Sequence, residues 1–259
     1  MHPGWYVPIG FIVGAYGTII GGGGGFILVP LLVFLFPDDG PSMITAASLA
    51  VVCVNAASGT IAYAVQRRIS YRAGILFAAA TIPGALLGSY LTRFIPKRLF
   101  GIAFGCLLVA VAAVLAITRS MHRTAAAPGR DQVPRLRPAQ LALGMGLSVF
   151  IGCFSSLAGI GGGIIHVPVF TYLFGFPLHV ATATSHFVLV FTALAGVVEH
   201  LIDHTWPTRL LRDALLATGV VAGAQLGAFL SRKIAAPWIV VGLAAALGVV
   251  GVRLILTTL

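Results

Sequence analysis

Charged residues in this chain occur in groups, and the long gaps between the groups restrict what the chain can fold into. No Asp, Glu, Lys or Arg occurs within residues 1–37, 40–66, 73–92, 99–118, 138–198, 214–231 or 234–252. A helix needs about 20 mostly apolar residues to cross the roughly 30 Å hydrocarbon layer of a membrane. Each gap is close to that length or longer, so the chain is predicted to be an all-α polytopic membrane protein.

Composition excludes the soluble protein classes. Only 8% of the 259 residues are charged and 59% are hydrophobic, whereas about 25% of the residues in an average soluble domain are charged. The net charge of +10 does not indicate a nucleic-acid-binding domain, because the basic residues stand between apolar segments. The predicted partners are therefore the lipid bilayer and, from the glycine breaks described below, a small anionic substrate, with no nucleic acid.

The two halves of the chain resemble each other. The stretch Gly14–Pro30, GAYGTIIGGGGGFILVP, aligns with Gly152–Pro168, GCFSSLAGIGGGIIHVP, at an offset of 138 residues. Thr45–Ser48 then aligns with Thr182–Ser185 in the same order and at nearly the same offset. This similarity predicts a tandem duplication. Its parts are an N-terminal repeat at 1–118, a basic cytoplasmic linker at 119–137 and a C-terminal repeat at 138–259.

Each repeat offers four apolar segments, and glycines interrupt the first one. Five consecutive glycines hold a helix poorly, because each costs about 1 kcal/mol relative to alanine. Each repeat is therefore predicted to open with a discontinuous helix whose second arm has about 11 residues. The predicted segments are about 5–36, 44–65, 72–93, 98–118, 138–174, 180–201, 208–231 and 236–257.

Two orientations of the broken segments are compatible with the charges. If each crosses the membrane once, the positive residues divide 11 against 5; if each is re-entrant, the halves become inverted copies and the division is 10 against 6. Both place the linker on the cytoplasmic side by the positive-inside rule. We favour inverted copies, because many transporters are built in that way.

The glycine breaks are the first candidate binding site. Non-helical backbone at membrane depth must be buried in protein or line a wet cavity. The arm that follows a break begins with free N–H groups and the positive end of its dipole, which together suit an anion. The alternative is close helix packing through glycine. The candidate residues are Gly21, Gly22, Gly23, Gly24, Gly25, Gly159, Gly161, Gly162 and Gly163.

Polar side chains in the following helices extend this candidate site. Neutral hydroxyl and amide donors suit a dehydrated oxyanion that must also leave again, although such groups also form hydrogen bonds between helices. Two histidines lie deep in the uncharged stretch 138–198 and could bind substrate or carry a proton. The candidates are Ser48, Asn55, Thr184, Ser185, His166 and His186.

A polar cluster follows where the segment 180–201 leaves the membrane. It contains Glu199, His200, Asp203 and His204, and the two histidines have the i, i+4 spacing of a metal-binding pair. Such clusters at helix ends are usually solvated, so we predict no metal site and no cofactor, with proton coupling as the one open possibility.

The chain resembles the sulfite exporter TauE/SafE family of membrane anion permeases. The resemblance rests on GGGGGFILVPLL and GIGGGIIHVPVF, on the Ala-Thr-Ser sequence after the second run, and on the two-half layout over nearly the whole length. It implies a secondary transporter of sulfite, sulfonates or related organic anions in the bacterial inner membrane. The alternatives are a non-transporting membrane scaffold or assembly factor and an intramembrane enzyme. An enzyme is disfavoured, since the sequence has no HExxH, no GxSxG and no paired intramembrane carboxylates.

Overall fold

All regular structure in the described part of the chain is helical. The computed structural model describes residues 3–122, 134, 136–203, 209–231 and 236–258, and within them there is no β-strand. Six helices among the described residues are long and apolar enough to cross a membrane. The predicted class, an all-α multi-pass membrane protein, is confirmed. The predicted linker at 119–137 lies mostly outside the described residues, and the preceding helix continues to His122.

Proline marks the junctions between several helices. Pro41 and Pro138 occupy the start of α3 and α6, where the missing N–H leaves no hydrogen bond unmade. The amide of Arg137 donates to Oε1 of Gln140 at 2.9 Å and caps α6. The helices in the described residues are α1 Tyr6–Ile20, α2 Gly25–Leu35, α3 Pro41–Val65, α4 Tyr71–Thr92, α5 Lys97–His122, α6 Pro138–Leu157, α7 Gly163–Pro168, α8 Leu178–Ile202, α9 Leu210–Leu230 and α10 Ala236–Thr258.

The two halves of the chain are packed into each other. The first helix of each half lies along the fourth helix of the other half, so α1 packs on α9 and α6 packs on α4. α3 and α8 pack against each other and have the most buried spans, and α5 pairs with α10. The core of the bundle is therefore built jointly by both halves.

The first broken segment, α1 with α2, enters and leaves the bundle at the same end. α1 and α9 run in the same direction, as the successive backbone contacts Gly10–Leu216 and Gly14–Val220 show. After α2, Asp39 pairs with Arg212 at the start of α9, with 3.1 Å between Oδ2 and Nη1. We call this the Asp39 end of the bundle.

The second broken segment, α6 with α7, enters and leaves at the opposite end. α6 runs in the same direction as α4, as the successive backbone contacts Val149–Gly84 and Cys153–Gly88 show. α7 continues into a π-helical turn, Val169–Leu173, and Phe174 then stacks on Phe77 near the start of α4, with ring centroids 5.7 Å apart. This end also holds the α3–α4 connection with Arg68, and we call it the Arg68 end.

Candidate functional site

The first break is a glycine turn between α1 and α2. Gly21, Gly23 and Gly24 have φ angles of 84°, 71° and 83°, which L side chains rarely adopt. The amides of residues 21–23 donate hydrogen bonds back to the carbonyls of Gly17 and Thr18, at 2.9–3.1 Å. This turn ends α1, and α2 begins at Gly25 in a new direction.

The second break has the same backbone pattern 138 residues further along the chain. Gly159, Gly161 and Gly162 have φ angles of 71°, 78° and 96°. The amides of residues 159–161 donate hydrogen bonds back to the carbonyls of Ser155 and Ser156, at 2.8–3.2 Å. Ile160 stands where the first run has Gly22, and neither has a positive φ. Four of the five glycines in the first run are thus repeated in the second, and all three positions with a positive φ are glycine in both runs.

The two breaks touch each other inside the bundle. A Cβ added to Gly163 would lie 2.5 Å from the carbonyl oxygen of Gly21, and one added to Gly25 would lie 2.8 Å from Cα of Ile160. Only glycine permits this approach, since real Cβ atoms do not come so close to backbone. The first turns of α2 and α7 therefore begin side by side, and from there the two arms run to opposite ends of the bundle.

Amide groups at these two helix starts are buried without a hydrogen-bond acceptor. Among the described residues, no carbonyl or side chain accepts from three consecutive amides in each break. Buried amides are nearly always bonded, so such a group is unusual. A helix start also carries about half a positive charge. The six amides belong to Gly24, Gly25, Phe26, Gly162, Gly163 and Ile164.

Two serines, one from each half, donate hydrogen bonds to backbone carbonyls in the break of the other half. Ser48 on α3 donates to the carbonyl of Gly159 at 2.7 Å. Ser185 on α8 donates to the carbonyl of Gly21 at 3.2 Å and to that of Gly163 at 2.9 Å. Both predicted candidates are therefore at the breaks, where their hydroxyl hydrogens are directed at backbone carbonyls.

The other two neutral candidates occupy different places. Asn55 lies at the first break, where Nδ2 donates to the carbonyl of Gly23 at 2.9 Å and Oδ1 accepts from Thr18 at 3.3 Å. Thr184 does not reach either break in this structure, because its hydroxyl accepts from the amide of Ser70 at 3.1 Å, close to the start of α4.

Both candidate histidines are fully buried beside the breaks. Nδ1 of His166 lies 3.0 Å from the carbonyl of Gly162, whereas its Nε2 has no hydrogen-bond partner. Neither ring nitrogen of His186 has a hydrogen-bond partner, and its ring packs edge-on against Tyr63 with centroids 5.6 Å apart. Three ring nitrogens of these two buried histidines thus have no hydrogen-bond partner.

Two residues that the sequence patterns did not single out support the first break. Tyr63 on α3 is completely buried, and its hydroxyl donates to the carbonyl of Thr18 at 2.7 Å. Thr18 in turn supplies a carbonyl to the break and a hydroxyl to Asn55. The sequence does contain an indication that Thr18 belongs to the break, because the repeat alignment pairs it with Ser156, just before the second break.

The structure contains an ionic cluster at the Asp39 end that the sequence patterns did not indicate. Arg212 is only 4% exposed and pairs with Asp39 at 3.1 Å and with Asp213 at 2.8 Å. Arg209 adds a third contact, to Oδ1 of Asp39 at 3.4 Å. These pairs tie the connection after α2 to the start of α9.

The breaks are closed to solvent in this structure. Every residue of 20–26 and 158–164 is buried, so a ligand would reach the amides only after helices move apart. No group of three or more metal-binding side chains occurs among the described residues, and His204 of the predicted polar cluster lies outside them.

A multi-pass helical bundle whose centre is formed by two discontinuous helices is the architecture of a membrane transport protein. Comparison with known proteins agrees with this class. The chain belongs to the sulfite exporter TauE/SafE family, whose model matches residues 6–254. The predicted family and the multi-pass membrane location are therefore confirmed.

Curated relatives support transport as the general activity. The probable membrane transporter protein YunE of Bacillus subtilis is 30% identical over 265 residues, which cover 96% of this chain and 96% of that protein. A probable membrane transporter protein of Methanocaldococcus jannaschii is 27% identical over 260 residues, covering 96% and 93%. No solved structure matches the chain.

Proposed function

We propose that this protein is a secondary permease of small anions, with sulfite, sulfonates or related organosulfur and organic anions as the substrate class. The observation that carries the proposal is the meeting of two helix starts, with six buried amides that have no acceptor among the described residues. Oxyanions accept hydrogen bonds from such amides. The proposal includes no catalytic step and no cofactor.

Charge around the breaks favours a small anion over a cation. Two helix starts together contribute about one positive charge. Residues 1–37 and 138–198 contain no carboxylate that could bind a cation and no Lys or Arg that could neutralise a polyanion. The expected ligand therefore carries one or two negative charges on sulfur–oxygen or carboxylate groups.

The proposed mechanism is alternating access between two inverted halves. The first broken segment has both ends at the Asp39 end and the second has both ends at the Arg68 end. This arrangement corresponds to the re-entrant alternative, in which 10 positive residues lie on the linker side and 6 on the other. The Arg68 end then faces the cytoplasm by the positive-inside rule. The buried breaks correspond to an occluded state, which would open to either side in turn.

Uptake of ³⁵S-labelled sulfite into proteoliposomes, with and without a pH gradient, tests the function. We expect uptake above that of protein-free liposomes, inhibition by excess sulfonate, and none by alkali cations or amines. A matched control is Gly146→Ala, which lies on α6 with nothing within 4 Å of an added Cβ. Absence of uptake for all these anions, or preferred transport of an amine or metal cation, would overturn the proposal and favour a scaffold role.

A further inference from the structure

A buried histidine near the Asp39 end has one ring nitrogen bonded and one free. His200 lies in the last turn of α8 and its side chain is 1% exposed. Its Nε2 is 3.3 Å from Oγ1 of Thr45 on α3. The Thr45 hydroxyl donates its one hydrogen to the carbonyls of Pro41 and Ser42, at 3.0 Å each. With its hydrogen directed at these carbonyls, the Thr45 oxygen accepts from His200, and this arrangement favours the tautomer with the ring proton on Nε2.

The second ring nitrogen of His200 faces a carboxylate. Nδ1 lies 3.7 Å from Oε2 of Glu199, and neither atom has a hydrogen-bond partner. With Nε2 protonated, Nδ1 presents a lone pair to the carboxylate, so two acceptors point at each other without a hydrogen between them. One added proton would turn this contact into an ion pair or a hydrogen bond.

Among the described residues, the charged groups at the ends of α8 and α4 pair with each other. Asp203, at the end of the same helix, pairs with Arg93 at the end of α4, and the Arg93 guanidinium lies 3.7 Å from the centroid of the Tyr90 ring. α3 contributes only the neutral Thr45. The Glu199 side chain is 12% exposed, whereas His200 is shielded, so a proton would enter through the carboxylate.

This pair is connected to the second glycine break through α3. A Cβ added to Gly159 would lie 3.1 Å from Cα of Thr45, the residue that contacts His200. One turn further along α3, Ser48 holds the carbonyl of Gly159. The other half has Tyr63 where this half has His200, at the offset of 137 that relates Ser48 to Ser185. Only one half therefore has an imidazole at this position.

We propose that Glu199 and His200 share one proton taken up at the Asp39 end, and that binding of this proton changes how α3 holds the second break. The inference rests on the proposed function in one respect: it identifies the proton as the coupling or regulatory ion of the permease. In the orientation proposed above, the proton comes from outside the cell.

Histidine NMR tests the proton site without any substrate. The ¹⁵N-histidine-labelled protein in lipid nanodiscs is titrated with acid, and His200→Asn assigns the ring signals. We expect Glu199→Gln to change the proton concentration at the midpoint of the His200 titration by at least about tenfold, because a carboxylate within about 4–6 Å stabilises a protonated imidazole by at least that factor. Asp38→Asn, an exposed carboxylate at the same end, is the control and should move it less than about twofold. An unchanged transition in Glu199→Gln would overturn the proposal.

Transport measurements separate this proposal from the proposed function. If sulfite is carried, the transport rate of the wild type should depend on the pH of the compartment that the Asp39 end faces. Glu199→Gln should remove most of that dependence. A pH profile that is the same in wild type and Glu199→Gln would refute the coupling role. If no anion is carried at all, the proposed function fails, while the NMR titration still decides whether the pair holds a proton.

Discussion

Replacing Gly163 by alanine changes the contact between the two breaks by a single methyl group. Gly163 has an ordinary helical φ, so the substitution adds no conformational strain of its own. The new Cβ would lie 2.5 Å from the Gly21 carbonyl oxygen and 3.0 Å from Cα of Gly22. A relaxed carbon–oxygen contact needs about 3.3 Å, so the two breaks must separate by about 0.8 Å.

The cost of this separation can be converted into an expected rate. Overpacking of this kind costs about 1–3 kcal/mol. If that cost falls on states in which the breaks are in contact, transport should decrease about 5- to 150-fold. We expect this loss in sulfite uptake by proteoliposomes, with normal membrane insertion.

The control for this prediction is Gly146→Ala, made in the neighbouring helix. An alanine at Gly146 meets nothing within 4 Å and should leave uptake unchanged while stabilising α6 by up to about 1 kcal/mol. Wild-type uptake by Gly163→Ala, measured beside this control, would refute the expectation that transport passes through the occluded state, in which the two breaks touch.

Three further predictions concern other parts of the molecule. Gly24→Val should abolish uptake but not insertion, because a β-branched residue does not tolerate the φ of 83°; normal uptake in this variant would contradict the role of the break. His186→Leu should leave thermal stability unchanged or higher, because both ring nitrogens lack partners and the first half has Leu49 at this position; a large loss of stability would indicate an essential ring contact. Arg212→Leu should lower the free energy of unfolding by about 3–5 kcal/mol, since it leaves the buried carboxylate of Asp213 unpaired and Asp39 with only the more exposed Arg209; an unchanged melting temperature would show that the cluster adds no stability.

Sequence patterns were enough to predict the helical membrane class and the place of both breaks. Charge-free gaps mark the spans because a charge inside hydrocarbon is expensive. Repeated glycines mark the turns because only glycine adopts these φ angles readily, and the single mismatch, Gly22 against Ile160, falls where φ is ordinary. These features depend on the local backbone and on solvent transfer, and both can be predicted from short stretches of sequence.

Contacts between distant segments could not be predicted in the same way. The hydrogen bonds from Ser48 to the Gly159 carbonyl and from Ser185 to the Gly21 carbonyl join residues more than 100 positions apart. A buried hydroxyl can donate to a substrate, to another helix or to its own helix, and only the packing selects among them. Thr184 illustrates this, because it belongs to the same motif as Ser185 but accepts from Ser70. The cluster around Arg212 depends on the return of α2 to the start of α9, which hydropathy does not encode.

The central claim is that the free amides of both breaks bind one small anion together. Two-dimensional NMR of ¹⁵N-glycine-labelled protein in nanodiscs, titrated with sulfite, tests it most directly. The account predicts that the amide signals of Gly24, Gly25, Gly162 and Gly163 shift together along one saturation curve, while those of Gly146 and Gly175 stay fixed. If the glycine signals of the breaks do not shift with sulfite, or shift equally with a quaternary amine, the free amides do not form an anion site.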